Sequence, residues 1–344
     1  MPPEPKSMPS ENNLAEFIQA LPKAELHVHF EGTLEPEHIF ALAERNGIKT
    51  QYNTPEEVLA AYDFHDLPSF LAIYYAAMEV LQTEEDFYEL AFHYFRRAAA
   101  QNVVYVEPFF DPQAHTRRGV AFETVLNGIV RAQEQARSEL GVDSNLIMCF
   151  LRDMSAESAA EHLEMALPHL DKLIGVGLDS DEKDNPPSKF AATFARARDL
   201  GLKLTMHCDV NQKDIVEHIH ECLHLIEVDR IDHGVNSLDD ENIAEEVARR
   251  GLGLTVCPVS NRFVVQNLTG DVIRTMLERG MKVTVNSDDP AYFRAYMNEN
   301  LSALAKDAAF TRSEILKLTR NAFEVSWLPA DRKAQYLKQV DAFA

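Results

Sequence analysis

The stretch "KLTMHCDV", residues 203–210, begins as a short, nearly apolar run and ends in His207, followed by Cys208, Asp209 and Val210. A run of this kind reads as a strand buried on both faces. Seven others share its form: "AELHVHF" (24–30), "VVYVEPFF" (103–110), "NLIMCFL" (145–151), "LIGVGLD" (173–179), "DRIDHG" (229–234), "LGLTVCP" (252–258) and "KVTVNSDD" (282–289). Between them lie helical patterns such as "PSKFAATFARARDLG" and "ENIAEEVARRG", each ending at Gly, a common helix stop. Strand alternating with helix predicts a parallel sheet, and eight such units predict a closed (β/α)8 barrel of the TIM type. The stretch 31–102 exceeds one crossover, so extra helices are expected after strand 1, capping the barrel mouth. An open doubly wound sheet is the competing architecture. No GxGxxG follows the first run, which weakens a dinucleotide-binding version of it. Residues 1–12, rich in Pro, Ser, Glu and Asn, are expected to form a flexible tail, and 13–344 a single domain.

The composition is that of a globular chain with a substantial core: 344 residues, 46% hydrophobic and 26% charged. A net charge of −22 argues against nucleic acid or an anionic membrane as partner. Cys149, Cys208, Cys222 and Cys257 contain no CxxC pair, so neither a zinc ribbon nor a redox pair is suggested. With no apolar leader and no run of 18 apolar residues, the expected setting is the cytoplasm. A homo-oligomer is left open.

In a TIM-type barrel the C-terminal strand ends carry the chemistry. Here they offer His27 and His29, Glu107 and Asp111, Arg152, Asp179, His207, His233, and Asp288 with Asp289. His27 and His29 stand two apart on a strand, so both point to one side and can grip one metal ion. A third His and an Asp from other strands would complete a set that suits zinc. Each piece has a plainer reading: His233 as a hydrogen-bonded core residue, "SDDP" as a helix N-cap. Their common placement at strand ends favours the metal. His218, His220 and His224 read as helix surface, and Cys208 and Cys257 as buried and inert. The H-x-E…P-C-x-x-C pattern of the cytidine-deaminase-like fold is absent.

The same segments carry a likeness. "LPKAELHVHFEGTLEP" (21–36), "VEPFFDPQAHTRRG" (106–119), "GLDSDEKDNPPSKF" (177–190), "RIDHGVNS" (230–237), "LTVCPVSN" (254–261) and "VTVNSDDPAYF" (283–293) resemble the adenosine/adenine deaminase family of the amidohydrolase superfamily, most closely its adenine deaminase branch. The resemblance runs collinearly over about residues 14–342. It implies one zinc per chain on His27, His29, His207 and Asp288, with His233 orienting the water that attacks purine C6. It also implies Asp289 at the purine N7 and Glu31 near the edge where a ribose would sit. Asp179 and Ser180 would add polar side chains to that wall. A small purine base, taken as the free base, is the implied substrate.

The chain departs from that pattern where it began. The family has H-A-G-E, or H-C-D-E in related cytosine deaminases, and the glutamate protonates the ring nitrogen beside the attacked carbon. Here Val210 stands in its place. The substitute acid is expected from the altered loop, Asp209 first and Gln212 or Asp214 next, or from a solvent route, with Asp288 and His233 moving the other protons. Val210 itself is expected to make that wall apolar and hospitable to an alkyl group, so N6-substituted adenines such as isopentenyl- or methyl-adenine are expected substrates beside adenine, giving hypoxanthine plus amine or ammonia. Arg294 and Ala295 replace a usual Gly-Gly after "SDDPAYF". Two alternatives remain: a hydrolase displacing another group from a purine or pyrimidine, and a catalytically inactive, metal-holding binding protein.

Overall fold

The computed structural model describes residues 14–64, 66–265 and 269–344; the tail expected over 1–12 lies outside the described residues. Among the described residues, ten strand segments form the sheet: β1 Lys23–Glu25, β2 Val103–Val106, β3 Phe109–Phe110, β4 Asp143–Ser144, β5 Leu146–Leu151, β6 Leu173–Asp179, β7 Lys203–Cys208, β8 Arg230–His233, β9 Gly253–Val256 and β10 Lys282–Val285. Every residue of β5 and β9 is buried, as is all of β7 beyond Lys203, which is why these runs are apolar throughout rather than alternating.

All the pairings are parallel. One ladder runs β10-β9-β8-β7-β6-β5-β3 and a second β1-β2-β4. The ladders meet through the chain just after β1, where Val28 bridges Asp288 and His29 bridges Phe109. Those two bridges set the first strand between the second and the last, and the eight sequence runs close into the (β/α)8 barrel. The helices follow ordinary local rules. Glu241–Arg250, for example, begins at Asp240, whose carboxylate accepts from the backbone N–H groups of Asn242 and Ile243, and ends at Gly251 with φ 65°.

The 31–102 stretch supplies the expected extra helices, Pro36–Asn46, Pro55–Ala60 and Leu67–Ala77, before Glu84–Ala100 returns the chain to β2. Two of the polar residues expected at strand ends serve the fold. Glu107 is fully buried against Arg230, and accepts from Tyr105 and the Trp327 backbone. Arg152 is also fully buried and donates to the His207 carbonyl at 2.9 Å. His218 corrects the surface reading of the 218–224 histidines. It is buried, with Nδ1 3.1 Å from Glu182, whereas His220 and His224 are exposed.

Candidate active site

At the C-terminal ends of the strands, four groups converge from three strand ends. His29 Nε2 lies 3.1 Å from His207 Nε2 and 3.5 Å from Asp288 Oδ1, and His27 Nε2 lies 3.1 Å from the same Asp288 oxygen. Ligands about 2.1 Å from one ion in a tetrahedron are about 3.4 Å from each other, so these three spacings fit; His27, His207 and Asp288 also group with His233, each offering an atom within 4.8 Å of the others. The chemistry fits too. His27 Nε2 is buried and faces Asp288 without a well-aligned hydrogen bond, and burial pushes both His27 and, much further, His207 below the ordinary imidazole value, keeping them in the neutral form a metal needs. These residues are suited to hold a metal ion.

The far nitrogen of each ring faces an orienting group, as metal-bound imidazoles require. His27 Nδ1 is 3.0 Å from Thr255 Oγ1, which donates to Asp232 at 2.8 Å. His207 Nδ1 is 3.6 Å from the other Asp232 oxygen, and His29 Nδ1 is 3.5 Å from Asp179. Thr205 also donates to Asp232, so one buried carboxylate braces two rings. Asp232 and Thr255 were not singled out from the sequence; the only signal was the Asp before His233 in "IDHG".

His233 stands beside the donor set. Its Nε2 is 2.9 Å from Asp209 Oδ1 and 3.9 Å from Asp288 Oδ2. Burial alone would lower its pKa, but Asp209, Asp288 and Asp232 outweigh burial and raise it to about 10. The backbone is strained around the site: His233, Asp288 and Ser180 have φ of 56°, 65° and 74°, in the left-handed region that non-glycine residues avoid.

The cavity over these groups is lined by His29, His207, His233, Asp288, Asp289, Asp209, Asp179, Ser180 and Asp111 on its polar side. Phe64, Leu67, Phe70, Leu71, Phe263 and Phe293 supply an apolar roof. Asp209 thus reaches the cavity, as expected. Its backbone N–H donates to Glu182 Oε1 at 2.6 Å, and Glu182 is itself held by Arg152 and His218. Val210 corrects its expectation. It is 4% exposed, packs in the main core and does not line the cavity. The strand ends at Cys208, so the alternation that placed Asp209 inward no longer governs its neighbour.

Glu31 is also displaced from its expected place at the wall. It is buried beside His115, 2.8 Å away, accepts from the Asp111 backbone N–H and is absent from the cavity lining. Gly32 after it is required by close approach: a Cβ there would lie 2.1 Å from Asp289 Oδ1. Burial pushes the Asp289 carboxyl well above its usual range, and the neighbouring carboxylates add to the effect. A protonated Asp289 has the donor that an acceptor nitrogen of a ring would need.

Residues 22–343 match the family model described as adenosine deaminase. An adenine deaminase of Rhodospirillum rubrum is 51% identical over 321 residues, covering 93% of this chain and 96% of that protein. The crystal structure of an adenine deaminase from Arthrobacter aurescens superposes with a TM-score of 0.91 at 44% identity, covering 94% of this chain and 99% of that one. An amidohydrolase of Burkholderia ambifaria solved with bound zinc superposes with a TM-score of 0.88 at 25% identity, covering 97% and 95%. With its barrel, its buried histidine–aspartate cluster and these relatives, the chain belongs to the adenosine deaminase family and is an enzyme of the hydrolytic deaminase type.

Proposed function

We propose that the protein hydrolyses the exocyclic C6–N bond of adenine-type free bases, including adenines that carry an alkyl group on N6, to give hypoxanthine and ammonia or the amine. The observation that carries this reading is the two-sided cavity, polar around His207, His233 and Asp288 and apolar under Phe64, Leu67, Phe70, Leu71, Phe263 and Phe293. An alkyl substituent gains by leaving water for such a roof. The adenine deaminases of Rhodospirillum rubrum and Arthrobacter aurescens support adenine as the parent substrate.

His27, His29, His207 and Asp288 would hold a zinc ion, one per chain. When bound, the ion supplies Lewis acidity that eases the ionisation of water near neutral pH. His233 holds the attacking water against C6; in the resting site it carries a proton, its imidazolium favoured by Asp209 and Asp288, and it takes up the water's proton once Asp209 has drawn the first one away toward the ring. Asp209 lines the cavity and supplies the acid missing at Val210, protonating the ring nitrogen next to C6. Asp289 donates to N7. Asp179 and Ser180 form the wall on the opposite edge, and Glu31 stiffens that wall from behind.

The decisive assay compares kcat/KM for adenine, N6-methyladenine, N6-isopentenyladenine and adenosine, with metal content measured on the same preparation. The expected result is about one zinc per chain, alkyl adenines turned over at least as well as adenine, and adenosine below both. A tenfold or greater preference for plain adenine removes the N6-alkyl reading. Adenosine turned over as well as every base removes the free-base reading. Active protein without a transition metal removes the zinc.

A further inference from the structure

Asp111 has no part in the chemistry above, yet it is 1% exposed, lines the cavity, and its Oδ1 has no hydrogen-bond partner. It precedes the short helix Pro112–Thr116 but makes no side-chain capping bond to it. A buried carboxyl without such a task is costly, so a helix-capping role does not account for it. Its position is held from behind: its backbone N–H donates to Glu31 Oε1 at 3.1 Å, and Glu31 is fixed by His115. Its carboxyl stands close to Asp179, both within 4.8 Å of His29.

We propose that Asp111, with Asp179 beside it, is the specificity-determining pair that binds the N3/N9–H edge of a free purine base. The proposal rests on the free-base deaminase reading and names how that site tells a base from its N9-substituted forms. Asp179 faces the His29 imidazole at 3.5 Å and serves as the acceptor, while Asp111, buried beside it with Oδ1 unpartnered and lining the cavity, serves as the O–H donor. The purine edge between N3 and N9 offers the matching acceptor and donor when N9 carries hydrogen, and loses the donor when N9 carries carbon. The placement agrees with the rest of the ring. Asp289 is assigned to N7, and N9 is the next nitrogen around the ring, between N7 and N3. Asp111 lies among Asp289, Asp179 and Glu31, whose charges, after burial, push its carboxyl well above the usual range. A sugar on N9 would meet Asp111 rather than open space.

The test uses adenine, 9-methyladenine, which lacks the N9–H, and 3-deazaadenine, which lacks the N3 acceptor without added bulk. In the native enzyme each analogue is expected to lose at least about tenfold in kcat/KM, as for an unpaired buried hydrogen-bonding group. Asp111→Leu should cost adenine at least about tenfold, chiefly through KM, and shrink the adenine to 3-deazaadenine ratio to within about threefold. Asp111→Asn keeps one donor and one acceptor and should preserve that ratio. Asp111→Ala repeats the measurement should the leucine prevent folding. A merely structural Asp111 would lower all three substrates together and leave the ratios intact, which overturns the proposal while leaving the deaminase reading in place. A native enzyme that turns over no adenine-type base overturns both.

Discussion

Among the described residues, His233 alone has an imidazole nitrogen approached by two carboxylates, Asp209 at 2.9 Å and Asp288 at 3.9 Å. Removing it as His233→Ala should lower kcat by about 10²-fold or more while the zinc content stays near native, because the four proposed ligands are untouched. Near-normal turnover would make His233 a core residue. Asp209→Asn keeps the shape and removes the acid; a fall in kcat of about tenfold or more is expected, and an unimpaired variant would clear Asp209 of the role. At this scale the sequence was readable wherever a residue's place followed from a strand end: His27, His29, His207, Asp179 and Asp288 needed only the barrel rule. Asp232, Thr255 and Glu182 were not readable. Their meaning lies in partners on other strands or across a loop, such as Asp232 with His27 and His207, and no local pattern states it.

The helix Leu67–Ala77 is the element that makes the roof. Asp66 starts it, accepting from the Ser69 N–H, and its residues at positions 67, 70, 71, 74 and 75 all reach the cavity. That spacing is one helical face, and in sequence it reads as an ordinary core stripe. Extra helices over the mouth were expected from the length of the 31–102 stretch, but which face would meet a ligand depends on how the helix lands on the barrel. Tyr75 pins the landing by donating to Ser180 Oγ at 2.7 Å. Leu71 is half-buried, so Leu71→Ala should leave thermal stability nearly unchanged. It should lower kcat/KM for N6-isopentenyladenine by about tenfold or more relative to adenine, the scale of a methylene in an apolar pocket. Equal losses on both substrates would place the alkyl group elsewhere.

Across the whole molecule, Glu25 joins the first strand to the last. Ser287 donates to it through both backbone and side chain, and Tyr94 adds a third bond. Burial nevertheless raises its pKa from 4.5 to about 7. The folded protein therefore keeps a proton that the unfolded chain releases between those values, so this group's contribution to stability is present at low pH and lost as pH rises from 4.5 to 7. The loss is at most roughly 3 kcal/mol. Glu25→Gln should remove that part of the slope. Denaturant unfolding at pH 5 and pH 7, compared between native protein and variant, checks it; parallel slopes would refute it. The barrel itself was legible because its strands are continuous apolar runs. Its closure was expected from the count of eight such runs, but the pairing that makes it was not legible, since the first and last strands touch through an isolated bridge, Val28 to Asp288.

The bridge between Val28 and Asp288 also bears on how the protein is made. Asp288 donates its backbone N–H to the His27 carbonyl and accepts from the His29 N–H, so the seam runs directly through three of the four proposed zinc ligands. A nascent chain emerging at about 5–20 residues per second displays His27 and His29 early, and must wait for more than 250 further residues before Asp288 leaves the ribosome. Contacts of such long range are slow to form. Premature termination anywhere before residue 288 leaves an incomplete donor set, so the proposed metal centre would mark chains whose synthesis has passed that point.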